Sequence, residues 1–262
     1  MMTSRRPMPA LFLGHGNPMH ALSRSVWSDG WQKIGRSLPR PEAILAISAH
    51  WYQPECAVTG SLAPPTIHDF SGFPEALYRV EYPAPGKPEL ARRVQELLDP
   101  LPVSIDQERG LDHGSWSVLR HLYAEADIPV VQLSIDQRME SRFHYETGQR
   151  LAALRQEGVL ILGSGNVVHN LHAYAWGRNE AAPYSWATGF DEEVQRILLA
   201  GENERLIDYE LLGDEARLSV PTPDHYLPLL YVMGTRTEED SVTFPVKGIE
   251  GGSVSMLAVQ LG

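Results

Sequence analysis

Five of the chain's ten histidines stand where an apolar run gives way to polar or glycine-bearing residues: His15 in LGHGNP, His50 in SAHWY, His113 in LDHGSW, His169 in GNVVHNL and His225 in TPDHYLP. Imidazole titrates near neutrality and is the commonest nitrogen ligand for zinc, iron and copper, so such a set is equipped to hold a metal, move protons, or both. Taken singly, each reads better as a hydrogen-bonded structural or surface residue; the shared context sets the five apart. His121 and His144 fall within helical patterns, and His20 and His172 lie just beyond the informative strings, so these four read as structural. No HExxH, CxxC or EF-hand loop names a metal. Gly14-His15-Gly16 lacks the Lys-Ser/Thr of a phosphate cradle, and Gly163-Ser164-Gly165 lacks the order of a nucleophile elbow, which leaves Ser164 a structural reading.

Ligands that are far apart in sequence need a scaffold that gathers them. Ala10 to Leu13 is a short apolar run emptying into Gly14 to Pro18, and Ala43 to Ala49 ends the same way in His50-Trp51, so two buried strands deliver a histidine at one end. Val103 to Ile105, Pro129 to Ser134 and Val159 to Leu162 are further short runs closed by polar or glycine-rich turns. Between them lie helical patterns at Pro88 to Leu98, with Leu90, Val94, Leu97 and Leu98 on one stripe, at Trp116 to Tyr123 and at Phe143 to Gln156. This alternation predicts an α/β fold: a single domain over residues 1–262 whose central, mostly parallel or mixed sheet is flanked by helices, with the metal site at the strand ends. Residues 1–8 are expected to be flexible. The proline-rich stretch Ala57 to Pro85 reads as a long surface excursion, Trp186 to Leu199 and Asn203 to Tyr209 as helices, and Val254 to Gln260 as a closing strand.

Charge narrows the partners. Acidic residues outnumber basic ones 33 to 22, a net charge of −11, which repels phosphate backbones and anionic lipid; neither nucleic acid nor a membrane surface is an expected partner. The lone Cys56 cannot form an internal disulfide and reads as a small core residue beside an apolar strand. No apolar stretch approaches a membrane span or a signal-peptide core, so a soluble, cytoplasmic protein is expected, as a monomer or homodimer.

The strings PALFLGHGNPM, ISAHW, PPTIHDFSGFP, YPAPG, DHGSWSVL, PVVQLSID, GSGNVVHNL and TPDHYLPLLYVMG, in this order from Pro9 to near the C-terminus, resemble the LigB-type class III extradiol ring-cleavage dioxygenases, and within them the 4,5-DOPA dioxygenase extradiol branch. The resemblance implies a non-haem iron site, Fe(2+), that opens a catechol ring beside its two hydroxyls with dioxygen. It implies His15 and His50 as metal ligands, His169 as the acid/base and His113 as a pocket histidine near the substrate oxygens. Many members supply a glutamate as third ligand; here the matching segment offers His225, with Asp224 beside it. An all-imidazole set also suits zinc, so Zn(2+) at the same site is expected too, with His169 swinging in as a fourth ligand. His68-Asp69 reads either as the mouth of the pocket or as a turn in which Asp69 caps backbone amides. Tyr226 and Trp51 either stack on the catechol or pack behind the ligands. Two alternatives stand beside the small-molecule dioxygenase: a zinc hydrolase using a metal-bound water, and a non-catalytic metal-binding scaffold.

Overall fold

Because strand residues alternate between faces, a run that is apolar throughout must be covered on both sides. That is what the predicted runs become. In the computed structural model, which describes residues 6–262, the strands are β1 (Ala10–Gly14), β2 (Ala43–Gln53), β3 (Cys56–Thr59), β4 (Val103–Asp106), β5 (Val130–Asp136), β6 (Val159–Gly165), β7 (Val242–Val246), β8 (Ile249–Glu250), β9 (Val254–Ser255) and β10 (Ala258–Leu261), of which β3, β7 and β8 answer to no expected run. All but β8 and β9 join one sheet of order β4-β3-β5-β2-β6-β1-β10-β7. Its centre, from β5 to β1, is parallel; β3 pairs antiparallel with β5 and parallel with β4 on one side, and β10 is antiparallel to both β1 and β7 on the other. The expected mixed α/β architecture is therefore present.

Among the described residues ten α-helices accompany the strands: α1 (Val26–Ser37), α2 (Glu75–Tyr78), α3 (Pro88–Leu98), α4 (His113–Leu122), α5 (Ser141–Leu151), α6 (Ala153–Gln156), α7 (Ser185–Ala200), α8 (Asn203–Ile207), α9 (Asp214–Ser219) and α10 (Leu227–Gly234). Leu11, Leu13, Ile44 and Ala46 face Trp31 and Ile34 of α1 and Trp116 and Leu119 of α4. Their sheet neighbours Ala10, Phe12, Leu45 and Ile47 pack with Leu90, Leu151, Val194 and Leu230 from α3, α5, α7 and α10 on the other face. At about 25 cal/mol per Å² of apolar surface, these two layers are the main favourable term holding the site's frame.

Several expected boundaries move for local reasons. The helix read from Trp116 starts at His113, because the Asp112 side chain accepts from Ser115 N at 3.1 Å and caps the first turn. The excursion from Ala57 opens with β3 and holds the short α2. The closing strand breaks at Met256-Leu257, so that β9 pairs with β8 and β10 rejoins the main sheet. Of the segment expected to be flexible, residues 1–5 lie outside the described residues, while Met8 is buried and bonded to Arg155 O through its amide at 2.8 Å. Among the described residues no helix is long and apolar enough to cross a membrane.

Candidate metal centre and its cavity

Parallel pairing sets Gly14 opposite Gly165, so His15 leaves β1 where β6 ends, and its amide donates to Gly165 O at 3.0 Å. His15 Nδ1 lies 3.1 Å from Ser164 Oγ, whose own proton is committed to Gly114 O at 2.5 Å. Ser164 must therefore accept from Nδ1–H, which leaves Nε2 of His15 as a free electron pair. His50 sits inside β2 at an irregularity: Ile47 pairs with Leu133 but Tyr52 with Ile135, and the surplus residues on β2 re-aim the side chain. Its Nε2 comes to 3.1 Å from Nε2 of His15. Gly114 permits this approach, since a Cβ there would stand 2.4 Å from Ser48 Oγ and 2.9 Å from His50 Cδ2.

The other three histidines arrive from loops. His225 ends the 3₁₀ turn Pro223–His225, which presses on β6 so closely that a Cβ at Gly165 would meet His225 O at 2.1 Å. Its Nδ1 donates to Asp224, and its Nε2 is buried with no hydrogen-bond partner. His169 lies flat on His225, ring centroids 3.5 Å apart at 7°. His113 opens α4, its amide donating to Asp69 Oδ1 at 2.9 Å and its Nδ1 lying 3.0 Å from the same oxygen. Asp69 Oδ2 stands 3.7 Å from His50 Nδ1.

One donor nitrogen each from His15, His50 and His113 can be chosen so that all lie within 4.8 Å of one another. His225 is outside that trio of donors, although its ring centroid lies 5.2 Å from that of His15 and 5.0 Å from that of His50. The face-to-face stack holds the in-plane electron pairs of His169 and His225 in nearly parallel planes, so His169 reaches an ion bound by His225 only if its ring swings.

Burial first, and the neighbouring imidazoles second, hold His15 and His50 well below the ordinary histidine range. His169 is lowered by burial and then by His225. These rings are neutral at physiological pH, the form that binds metal or accepts a proton. Burial alone would raise the Asp224 and Asp69 carboxyls; bonding to His225 and His113 outweighs it and keeps both ionised. The donor set fits a divalent transition metal: nitrogens 3.1 Å apart match two ligands each about 2.1 Å from one ion, and an orphaned buried Nε2 stands ready beside them.

The five histidines form the floor of a cavity of about 330 Å³, rimmed by Phe70, Phe73, Leu171, Tyr174 and Trp176. That size suits a single aromatic ring with a modest substituent. Two expected substrate contacts are corrected. His68 is not part of the lining: its Nε2 faces Val80 O at 3.0 Å and its ring packs on Trp116. Tyr226 is fully buried on the far side of its turn, donating to Leu206 O at 3.0 Å and packing on Tyr209 at 4.3 Å, so it cannot stack on a ligand in the cavity. Trp51 takes the packing alternative, buried under the Arg109 guanidinium 5.0 Å from its ring. Asp69 takes the capping alternative and adds the contact to His113. The residues that sequence reading passed over are the rim aromatics, signalled by FSGFP and AYAW, and Ser164 as the partner of His15.

The chain is similar to known proteins along nearly its whole length. Residues 8–249 match the family described as the catalytic LigB subunit of aromatic ring-opening dioxygenase. The chain is 53% identical to the 4,5-DOPA dioxygenase extradiol of Escherichia coli (strain K12), over all of this chain and 97% of that protein. It is 40% identical to the enzyme of the same name from Beta vulgaris, over 93% and 92% of the two chains. A crystal structure of an uncharacterized Escherichia coli K12 protein superposes with a TM-score of 0.86 at 49% identity, covering 97% of this chain and 100% of that one.

Proposed function

The chain belongs to the family of catalytic LigB subunits of aromatic ring-opening dioxygenases and is an extradiol ring-cleaving enzyme, and from that premise we propose that it opens a DOPA-like catechol between carbons 4 and 5 at a ferrous ion held by His15, His50 and His225. The buried, unpartnered Nε2 of His225, in the wall of the same cavity as the facing nitrogens of His15 and His50, carries this reading. Its Nδ1 bond to Asp224 is the outer contact that fixes a ligating imidazole's tautomer, as Ser164 does for His15. Family membership favours this chemistry over the zinc hydrolase and the inert scaffold.

When bound, iron supplies the electron path between the catecholate and dioxygen, and both oxygen atoms enter the product as the ring carbon–carbon bond breaks. The protein's own groups handle protons and position. His169, kept neutral by burial, takes a proton from a catechol hydroxyl and returns it as the ring opens. His113, steadied at its Nδ1 side by Asp69, steadies the oxygen on which negative charge develops. The rim aromatics hold the ring against the histidine floor and exclude water from it.

Anaerobic reconstitution with Fe(2+) or Zn(2+), followed by admission of air and a catechol, tests the proposal. Iron-loaded protein should consume one dioxygen per catechol and form a yellow ring-opened product, while zinc-loaded protein should do neither. Equal turnover with zinc, or oxygen uptake without ring opening, would overturn it.

A further inference from the structure

We propose that Glu250, hydrogen-bonded to His20, is a positioning residue for the reaction: the pair locks a small hairpin from which the His169 segment and part of the cavity mouth hang. This rests on the acid/base reading of His169 above and extends it to groups that touch neither metal nor substrate. His20 Nε2 lies 2.9 Å from Glu250 Oε2, and the two side chains are 6% and 3% exposed. Replacing a buried pair of this kind with apolar groups is often neutral for stability; what the directional contact adds is one fixed register between the segments it joins.

His20 belongs to the 3₁₀ turn Pro18–Ala21, just beyond the His15 loop, and is itself anchored. Its carbonyl accepts from His121 Nε2 of α4 at 2.8 Å, and its ring meets Trp31 of α1 edge-on at 6.0 Å. Glu250 belongs to β8, whose two residues pair with Val254 and Ser255 of β9. Gly251 and Gly252 turn the chain between these strands at φ +55° and +83°, which glycine adopts without strain. Gly16, in the cavity wall, rests on this hairpin: a Cβ there would stand 2.5 Å from Met256 Sδ and 3.3 Å from Glu250 Oε2.

The hairpin carries the acid/base on β9. Ser255 N donates to Val168 O at 2.9 Å, Asn170 N to Ser253 O at 3.1 Å and Ser253 Oγ to Asn170 O at 2.7 Å, so the residues on both sides of His169 are held. His169 N also donates to Ser219 O at 2.8 Å, so loss of the pair loosens the segment without freeing it. The mouth hangs from the glycine turn: Ala175 N donates to Gly251 O at 2.9 Å, and a Cβ on Gly251 would stand 2.2 Å from the Tyr174 ring. A shift of the hairpin therefore moves His169 and Tyr174 together, while His15, His50 and His225 keep their own supports on β1, β2 and β6. A displacement of about 1 Å in a reacting group can cost as much as about 10²-fold in rate.

Turnover per bound iron and amide hydrogen exchange, measured on the same iron-loaded protein, test the proposal. Glu250→Ala should keep its iron, lose roughly 10–100-fold in kcat, and exchange faster over residues 168–176 but not over β2. Glu250→Gln, whose amide still hydrogen-bonds to His20, should recover most of the rate and the slow exchange; a residue that only adds stability would leave kcat per folded, iron-loaded molecule unchanged. Should Glu250→Ala fail to fold, His20→Leu combined with Glu250→Leu removes the tether with neither group stranded and must give the same readings. Unchanged exchange over 168–176 overturns the proposal whatever the turnover, and loss of iron overturns it by placing the effect on the metal ligands. Faster exchange with wild-type kcat, where His169→Gln is slow, overturns it too, because placement of the segment then does not limit the reaction. Faster exchange with wild-type kcat in Glu250→Ala and His169→Gln alike supports the hold on the segment and removes the acid/base reading instead.

Discussion

The two ends of the sheet treat buried polar groups in opposite ways. At the end where the parallel strands begin, Arg155 is 1% exposed and well partnered: Nε donates to Met8 O at 2.7 Å, Nη1 to Thr235 O at 2.8 Å and to Asp240 at 2.6 Å, and Nη2 to Asp240 at 2.7 Å. At the end where they finish, five imidazoles crowd one wall, the Nε2 atoms of His15 and His50 face each other, and that of His225 faces nothing. Volume points the wrong way, since the hollow beside Arg155, about 640 Å³, is larger than the histidine cavity. A satisfied buried charge ties segments together, whereas a neutral imidazole left without a partner is held ready for something that is not protein.

The sharpest way to break this contrast is to remove the ready nitrogens. His15→Ala, His50→Ala and His225→Ala should each lose metal and, with it, all turnover, while thermal unfolding of the apo protein changes little. Asp224→Ala, which removes only the partner of a ligand, should weaken metal affinity by about 10–100-fold and leave a loadable site. Metal analysis after dialysis decides. If His113→Ala empties the site while His225→Ala keeps it, the third ligand is His113, whose donor lies within 4.8 Å of those of His15 and His50.

His169 tests whether the cavity end separates holding metal from moving protons. His169→Gln should keep iron and anaerobic catechol binding while turnover falls roughly 10²–10⁴-fold, the span for loss of a positioned acid/base. Loss of iron with normal turnover per remaining metal atom would make His169 a ligand and shift the proton relay to His113.

At the other end the expected loss is of stability. Arg155→Ala leaves Asp240, 5% exposed, without its buried partner, which should cost about 3–5 kcal/mol in denaturant unfolding. Iron content and kcat per folded molecule should stay near the wild type. A large fall in kcat per folded molecule would show that the two ends are coupled.

How much of this was legible in the sequence follows from range. His15 and His50 could be read because each follows a short apolar run, and α3 because Leu90, Val94 and Leu98 repeat on one face. α10 left no such mark: all eight of its residues are buried, so it has no polar face to create a period. Tyr226 looked like a site residue because it adjoins His225, yet the turn points the two to opposite sides, which neighbours in a string cannot show. Asp69, Ser164 and the rim aromatics act on residues tens of positions away, and only the folded sheet brings them together.

The smallest expected effect separates structural from functional histidines. His144 is fully buried like its relatives in the cavity, but both ring nitrogens have partners, Tyr231 Oη at 3.0 Å and Met139 O at 3.3 Å. Burial lowers its pKa from 6.5 to about 4. The unfolded chain therefore binds the proton more readily, so the stability His144 contributes is whole above 6.5 and drains away as pH falls toward 4. At pH 5 that loss amounts to about 2 kcal/mol. His144→Gln keeps a polar side chain beside Tyr231 and cannot take up the proton. The unfolding free energy from urea titrations should fall less between pH 7 and pH 5 in the variant than in the wild type, by about that amount, with metal content at neutral pH unchanged. Equal falls would mean that acid sensitivity resides in the cavity histidines, and the line drawn between satisfied and ready imidazoles would have to move.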